Sequence, residues 1–304
     1  MGAASSRHSL RPLACKRVLL NTTRAIGAAR ARALVLRQFK SLTGMRDGAP
    51  ASDATTTASC VGSDICYSSA RPEARPSRRG GELPRMQPQT SHDDRVAAEY
   101  GFRGGLVPGV TVYGYMCVPL IEHSPEWLDR GWMKVRFLEP VYDGEEVVVR
   151  GEVGTDGSIQ LNAERAVATA TIPGNVTAPA PFDESPLPQD RPVPTPENLI
   201  PGAPLGSVVE RLETVEPRAL LQFSNEMLVR NFKLGPWIHT GSEIQNYSRV
   251  HPGEEVSARG VIHERFERKG HEFVVIDVTL VANGRLAQSV RHTAIYRPRN
   301  VRTS

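Results

Sequence analysis

The sequence lacks the features that announce several large function classes. No run of 18 apolar residues occurs anywhere in the 304 residues, so no helix is expected to span a membrane. Cysteine is scarce. Cys15, Cys60 and Cys66 precede residue 86, and only Cys117 follows it. One cysteine makes no internal disulfide, which points to a reducing compartment. Gly101, Gly104, Gly105 and Gly109 do not form GxGxxG, so a dinucleotide fingerprint is not indicated. There is no GxSxG, which leaves out serine hydrolases of that type. His251, His263, His271 and His292 have no metal-ligand spacing, so neither a zinc site nor any other cofactor is expected.

Acidic residues are absent from 1–46, where ten basic residues sit among Ser, Thr and Ala. Residues 1–85 carry 15 Lys and Arg against 5 Asp and Glu, and residues 86–304 carry 22 against 28. The net charge of +4 thus averages a basic segment at +10 and a mildly acidic body at −6, which argues against nucleic acid as the partner. Residues 1–46 have the composition of a transit peptide; the opening MGAASS also fits the permissive myristoylation pattern. Residues 47–85 have almost no aliphatic periodicity, and such a segment is expected to stay disordered. The segment 1–85 is read either as a transit peptide or as a mis-called start upstream of Met86, so the compartment is cytoplasmic, or mitochondrial if the leader is genuine.

What is present is a repeat. Gly144-Glu145-Glu146-Val147 returns as Gly253-Glu254-Glu255-Val256, and Arg150-Gly151 as Arg259-Gly260. The same offset of 109 sets Pro108 on Pro217, each opening a helix-like run. The run Val110–Ile121 is apolar nearly all round, so a buried helix is predicted, ended or kinked at Pro119. Strand patterns follow at Met133–Phe137, Glu145–Val153 and Ser158–Ile172, with turns at Asp143-Gly144 and Asp156-Gly157. The second half predicts strands near Glu243–Val250, Glu255–Phe266, Glu272–Ala282 and Arg285–Arg297, with Asn283-Gly284 as the strongest hairpin signal. Ten prolines in 173–206 read as an extended linker. The divisions expected are 1–85, 86–175, a linker over 176–205, and 206–304. A helix followed by an antiparallel meander, twice over, suggests a sheet wrapped around a helix, with the two sheets joined edge to edge.

The stretches HDDRVAAEYGFRGGLVPG (92–109) and VRFLEPVYDGEEV (135–147) resemble the MaoC-like acyl dehydratases and R-specific enoyl-CoA hydratases. The resemblance implies an α+β double hotdog, two antiparallel sheets each wrapped around a central helix, over about residues 88–300. It matches His92, Asp94 and Ala98, the turn Gly101-Phe102-Arg103-Gly104, Gly109 at the helix start, and Phe137, Pro140-Val141 and Gly144-Glu145. It also fails at one place: these hydratases carry an Asp five residues before the histidine, and here that position is Gln87, with Gln89 and Thr90 behind it. The second half has no matching histidine loop.

The activity so implied is hydration of an enoyl thioester or dehydration of a 3-hydroxyacyl thioester, carried on CoA or a carrier protein. His92 would act as base or relay, with Asp94 beside it. Substrate contacts would come from Gly104, Gly105 and Gly109 and from the amides at Gly109 and Val110, which take the thioester oxygen at the positive end of the helix. Each residue has a plainer role. His92 fits the entry of a short helix over 93–100, Asp93 and Asp94 are good helix-start residues, and the glycines serve turn geometry. His239, beside Trp237, either lines a pocket between the halves or is a satisfied interior histidine; the second is preferred. Arg268-Lys269 reads as a solvated turn rather than a phosphate contact. A non-catalytic acyl-CoA-binding module, favoured by Gln87, and an acyl-CoA thioesterase are the alternatives. A homodimer is compatible with the resemblance, since a sheet edge can be buried against a second copy.

Overall fold

The computed structural model describes residues 11–12, 65–68, 106–142 and 144–299. The loop from His92 to Gly105 and the short helix expected over 93–100 lie outside the described residues, as does Asp143. The strands are β1 (Arg11–Pro12), β2 (Ile65–Ser68), β3 (Trp132–Phe137), β4 (Glu146–Val153), β5 (Ile159–Asn162), β6 (Ala166–Thr171), β7 (Pro204–Arg211), β8 (Ile238–Asn246), β9 (Glu255–Arg268), β10 (His271–Ala282) and β11 (Arg285–Arg297). The helices are α1 (Gly109–His123), α2 (Trp127–Arg130) and α3 (Pro217–Asn231).

The strands form one antiparallel sheet of 11 strands rather than two separate ones, in the order β1-β4-β5-β6-β3-β8-β11-β10-β9-β7, with β2 also on β4. In each half the strand after the long helix pairs with the last strand of that half, β3 with β6 and β8 with β11, so neither half is a plain meander. The halves join through β3 and β8, from Trp132↔Gln245 to Arg136↔Gly241. Helices α1 and α3 pack against the sheet and against each other, which is the hotdog arrangement.

The repeat is visible as repeated bonding. Gly144 and Gly253 both take the left-handed backbone, at φ 81° and 83°, which glycine adopts freely. Glu145 accepts from the Tyr142 amide at 3.0 Å and is paired with Arg165. Glu254, 109 residues on, accepts from the His251 amide at 2.7 Å and is paired with Arg285 at 2.7 Å. The two long helices are 15 residues each. They differ in surface. In α1, Tyr113, Met116, Cys117, Leu120 and Ile121 are fully buried, whereas α3 also buries Ser224, Asn225 and Glu226.

Four expectations are corrected in whole or in part. Pro119 does not end α1, which continues to His123. The ~3 kcal/mol that an interior proline costs is outweighed here by burial of Val118, Leu120 and Ile121 on the same turn. The single return strand over 158–172 is a hairpin, because Asn162 Oδ1 accepts from the Glu164 amide at 2.7 Å and Glu164 takes φ 57°. The linker expected over 176–205 ends in strand, since β7 begins at Pro204 and pairs with β9. The rest of that linker is bonded to the second half, through Phe182 to Thr279, Glu184 to Arg259 and Arg191 to the Val229 carbonyl. Two pieces of the segment expected to be disordered, β1 and β2, pair with β4, the edge strand of the first half. The strongest hairpin signal is borne out: Asn283 and Gly284 have φ 44° and 82° between β10 and β11.

Gly241 sits at the seam. A Cβ there would lie 2.7 Å from the Val135 carbonyl oxygen on β3. Gly241→Ala is therefore expected to push the halves apart, costing about 1–3 kcal/mol in a urea titration of the full chain. An unchanged midpoint would show that the seam tolerates the side chain.

Candidate functional site

Of the site residues expected from sequence, His92, Asp94, Gly104 and Gly105 lie outside the described residues. Gly109 and Val110 open α1, after Pro108 as its N-cap. A helix leaves its first amides without intrahelical acceptors, and among the described residues no side chain caps this one. The matching end of α3 has no side-chain cap either, but Glu216, 8% exposed, stands before it and holds Arg218 at 2.6 Å.

Gly109, the first residue of α1, lies against His239. A Cβ on Gly109 would meet His239 Nδ1 at 2.9 Å and the Phe137 ring at 3.0 Å, so only glycine allows this approach. Gly109, Phe137 and His239 come from α1, β3 and β8, and it is the seam that brings them together. The Phe137 ring stands edge-on to the imidazole at a centroid distance of 4.7 Å.

His239 is aimed inward by an irregularity in β8. Thr293 pairs with Gly241 but Ala294 with His239, leaving Thr240 as an extra residue. Side chains alternate along a strand, so His239 and Ser242 would ordinarily face opposite sides. The bulge restores them to one face, and both are buried. Opposite Ser242 in the register is His292 on β11. The result is a buried chain of three side chains. His239 Nε2 and Ser242 Oγ are 2.8 Å apart, and Ser242 Oγ and His292 Nδ1 3.1 Å. The two imidazoles lie 4.1 Å apart. The outer nitrogens, His239 Nδ1 and His292 Nε2, are buried with no hydrogen-bond partner among the described residues.

Burial, and then the neighbouring His292, hold the His239 pKa well below 6.5; the Gly241 backbone opposes this. Burial alone pulls His292 down to about 3. Both rings are neutral near pH 7, and a neutral imidazole can accept a proton or donate one. The preferred expectation for His239, a satisfied interior histidine, holds for only one of its two nitrogens. His292 has no metal-ligand spacing, and its hydrogen bond to Ser242, 50 residues away, leaves no spacing signal in the sequence. The signal that was available is Gly241 inside a strand pattern, which marks a bulge or a close backbone approach.

Other candidates are weaker. Cys117 is fully buried, and that burial pushes its thiol far above the ordinary range, which rules out a ready thiolate nucleophile. A cavity of about 200 Å³ opens beside the Glu145–Arg165 pair, but it shares no lining residue with His239. It is also below the ~300 Å³ at which small-molecule sites usually begin.

The two histidines make stability depend on pH. A folded-state pKa below the unfolded value means that the unfolded chain binds more protons in between. Stability is then full above about pH 6.5 and falls as the pH drops toward about 3, where His292 titrates. Each ring contributes up to ~1.4 kcal/mol per pH unit across its window. Denaturation midpoints between pH 7 and 5 should fall, and His292→Phe should flatten the slope. An equal slope in both proteins would contradict neutral burial.

No protein-family model and no curated protein matches the chain. Among solved structures, it is similar to a double hotdog protein of Mycobacterium tuberculosis essential for bacterial survival during infection, at 14% identity and TM-score 0.48 over 67% of this chain and 86% of that one. It is also similar to the acyl-CoA thioesterase II TesB2 of Mycobacterium marinum, at 15% identity and TM-score 0.47 over 62% and 88% of the two chains. A third is a chain described as a MaoC domain protein dehydratase from Chloroflexus aurantiacus, at 11% identity and TM-score 0.44 over 68% and 87%. At these identities the likeness is one of chain path, and the chemistry below comes from this chain's own residues.

Proposed function

We propose that the protein is an acyl-thioester hydro-lyase built on a double hotdog, with its site where the start of α1 meets His239. The observation that carries this is the buried His239 Nδ1, without a partner among the described residues, set against Gly109 at a helix N-terminus that no described side chain caps. The amides of Gly109 and Val110, at the positive end of α1, donate to the thioester oxygen. They stabilise the enolate that forms as water adds to carbon 3. His239 Nδ1, neutral at pH 7, removes the water proton. From the family resemblance alone, His92 and Asp94 are given a supporting catalytic part and Gly104 and Gly105 a contact with substrate; all four lie outside the described residues. Substrate is an enoyl or 3-hydroxyacyl thioester of CoA or a carrier protein.

A non-catalytic acyl-thioester-binding module is the second reading, favoured by Gln87 where the resembled hydratases carry Asp. Crotonyl-CoA hydration by the full chain, followed as loss of enoyl absorbance, separates the two. His239→Ala should lower turnover by ~10²–10⁴, the range of a positioned acid or base. Equal turnover in wild type and variant would remove His239 from the chemistry. Binding without turnover would favour the module, and release of free CoA would favour a thioesterase.

A further inference from the structure

We propose that Ser242 and His292 form a proton relay behind His239, so that the one nitrogen facing Gly109 both accepts a proton and returns it. This deepens the hydro-lyase reading and rests on it.

A hydroxyl carries a single proton. Ser242 Oγ lies within hydrogen-bond distance of an imidazole nitrogen on each side, at 2.8 and 3.1 Å. It can donate to only one of them, so for both contacts to be hydrogen bonds the other nitrogen must donate to it. Two proton arrangements satisfy this geometry. In the first, His239 Nε2–H donates to Oγ and Oγ–H donates to His292 Nδ1, which leaves His239 Nδ1 as a bare acceptor toward Gly109. In the second, His292 Nδ1–H donates to Oγ and Oγ–H donates to His239 Nε2, which makes His239 Nδ1 a donor. The serine therefore couples the tautomers of the two rings.

The couple matches what hydration requires. In the forward step a water O–H bond breaks and its proton joins His239 Nδ1. The His239 Nε2 proton passes to Oγ, and the Oγ proton passes to His292 Nδ1. The oxygen of the water bonds carbon 3, and the electron pair of the double bond moves to the thioester oxygen as enolate. The hydrogen bonds are now those of the second arrangement, and His292, which keeps its Nε2 proton, carries a transient positive charge that burial disfavours and the enolate's negative charge offsets. In the return step the His292 Nδ1 proton passes to Oγ, the Oγ proton to His239 Nε2, and the Nδ1 proton to carbon 2. Atoms and charge balance, and no other co-reactant is needed. Ser242 and His292 touch no reacting atom, so they are positioning residues.

Imidazole ¹⁵N shifts of the wild-type full chain test the couple directly, with signals assigned from His239→Gln and His292→Gln. The relay predicts that, of His239 Nε2 and His292 Nδ1, one is protonated and the other bare. Both protonated, or both bare, would overturn it. Kinetics with crotonyl-CoA give the second readout. Ser242→Ala should lower kcat about tenfold or more with KM unchanged, a part of the ~10²–10⁴ that acid–base catalysis supplies. Ser242→Thr, which keeps the hydroxyl, should recover most of the loss. Full kcat in a folded Ser242→Ala protein would overturn the relay alone, whereas absence of hydration by the wild type would overturn the relay together with the hydro-lyase reading.

Discussion

The antiparallel pairing of β3 with β8 is the contact on which the rest depends. It turns two half-sheets into one and sets the end of β3 beside the start of β8. Without it, Gly109 and Phe137 would have no reason to meet a histidine 130 residues downstream of the helix start. The seam leaves little slack. Gly241 has no room for a Cβ against the Val135 carbonyl, and Gly109 none against His239 and Phe137. Two glycines thus record where the halves touch: one where backbones meet, the other where a helix end meets a ring.

Duplication supplied two similar helices, and the sequence then made them unlike. Helix α1 is buried and apolar, with His239 against its first residue. Helix α3 buries Ser224, Asn225 and Glu226 and has Glu216 and Arg218 paired at its start. The two helix starts are therefore unlike: Gly109 lies against a neutral imidazole, and Glu216 is paired with an arginine. The proline-rich connection is bonded along the second half, so its extended backbone finds partners that the linker composition did not announce.

Much of the fold was legible because it is local. The Asn283-Gly284 turn, the repeated Gly-Glu-Glu-Val turns and the apolar run from Val110 to Ile121 each carry their instruction within a few residues. What was misjudged needed contacts from afar. Pro119 is tolerated inside α1 because burial on every side outweighs a backbone rule. The hairpin at Asn162–Glu164 was hidden in a continuous strand-like pattern. The site divides the same way. Gly109 and Val110 followed from the family resemblance, while His239, Ser242 and His292 are united by a bulge and by pairing across strands, neither of which leaves a spacing in the sequence. His92, Asp94, Gly104 and Gly105 lie outside the described residues, and their part in the chemistry is a proposal drawn from that resemblance.

The central claim is that a thioester oxygen binds at the start of α1 with its acyl carbons against His239. The most direct measurement is a crystal structure of the full chain with an enoyl-CoA analogue whose sulfur is replaced by a methylene group. The account predicts the carbonyl oxygen within about 3 Å of the Gly109 or Val110 amide, with carbons 2 and 3 beside His239 Nδ1. An analogue bound elsewhere, with the helix start untouched, would contradict it.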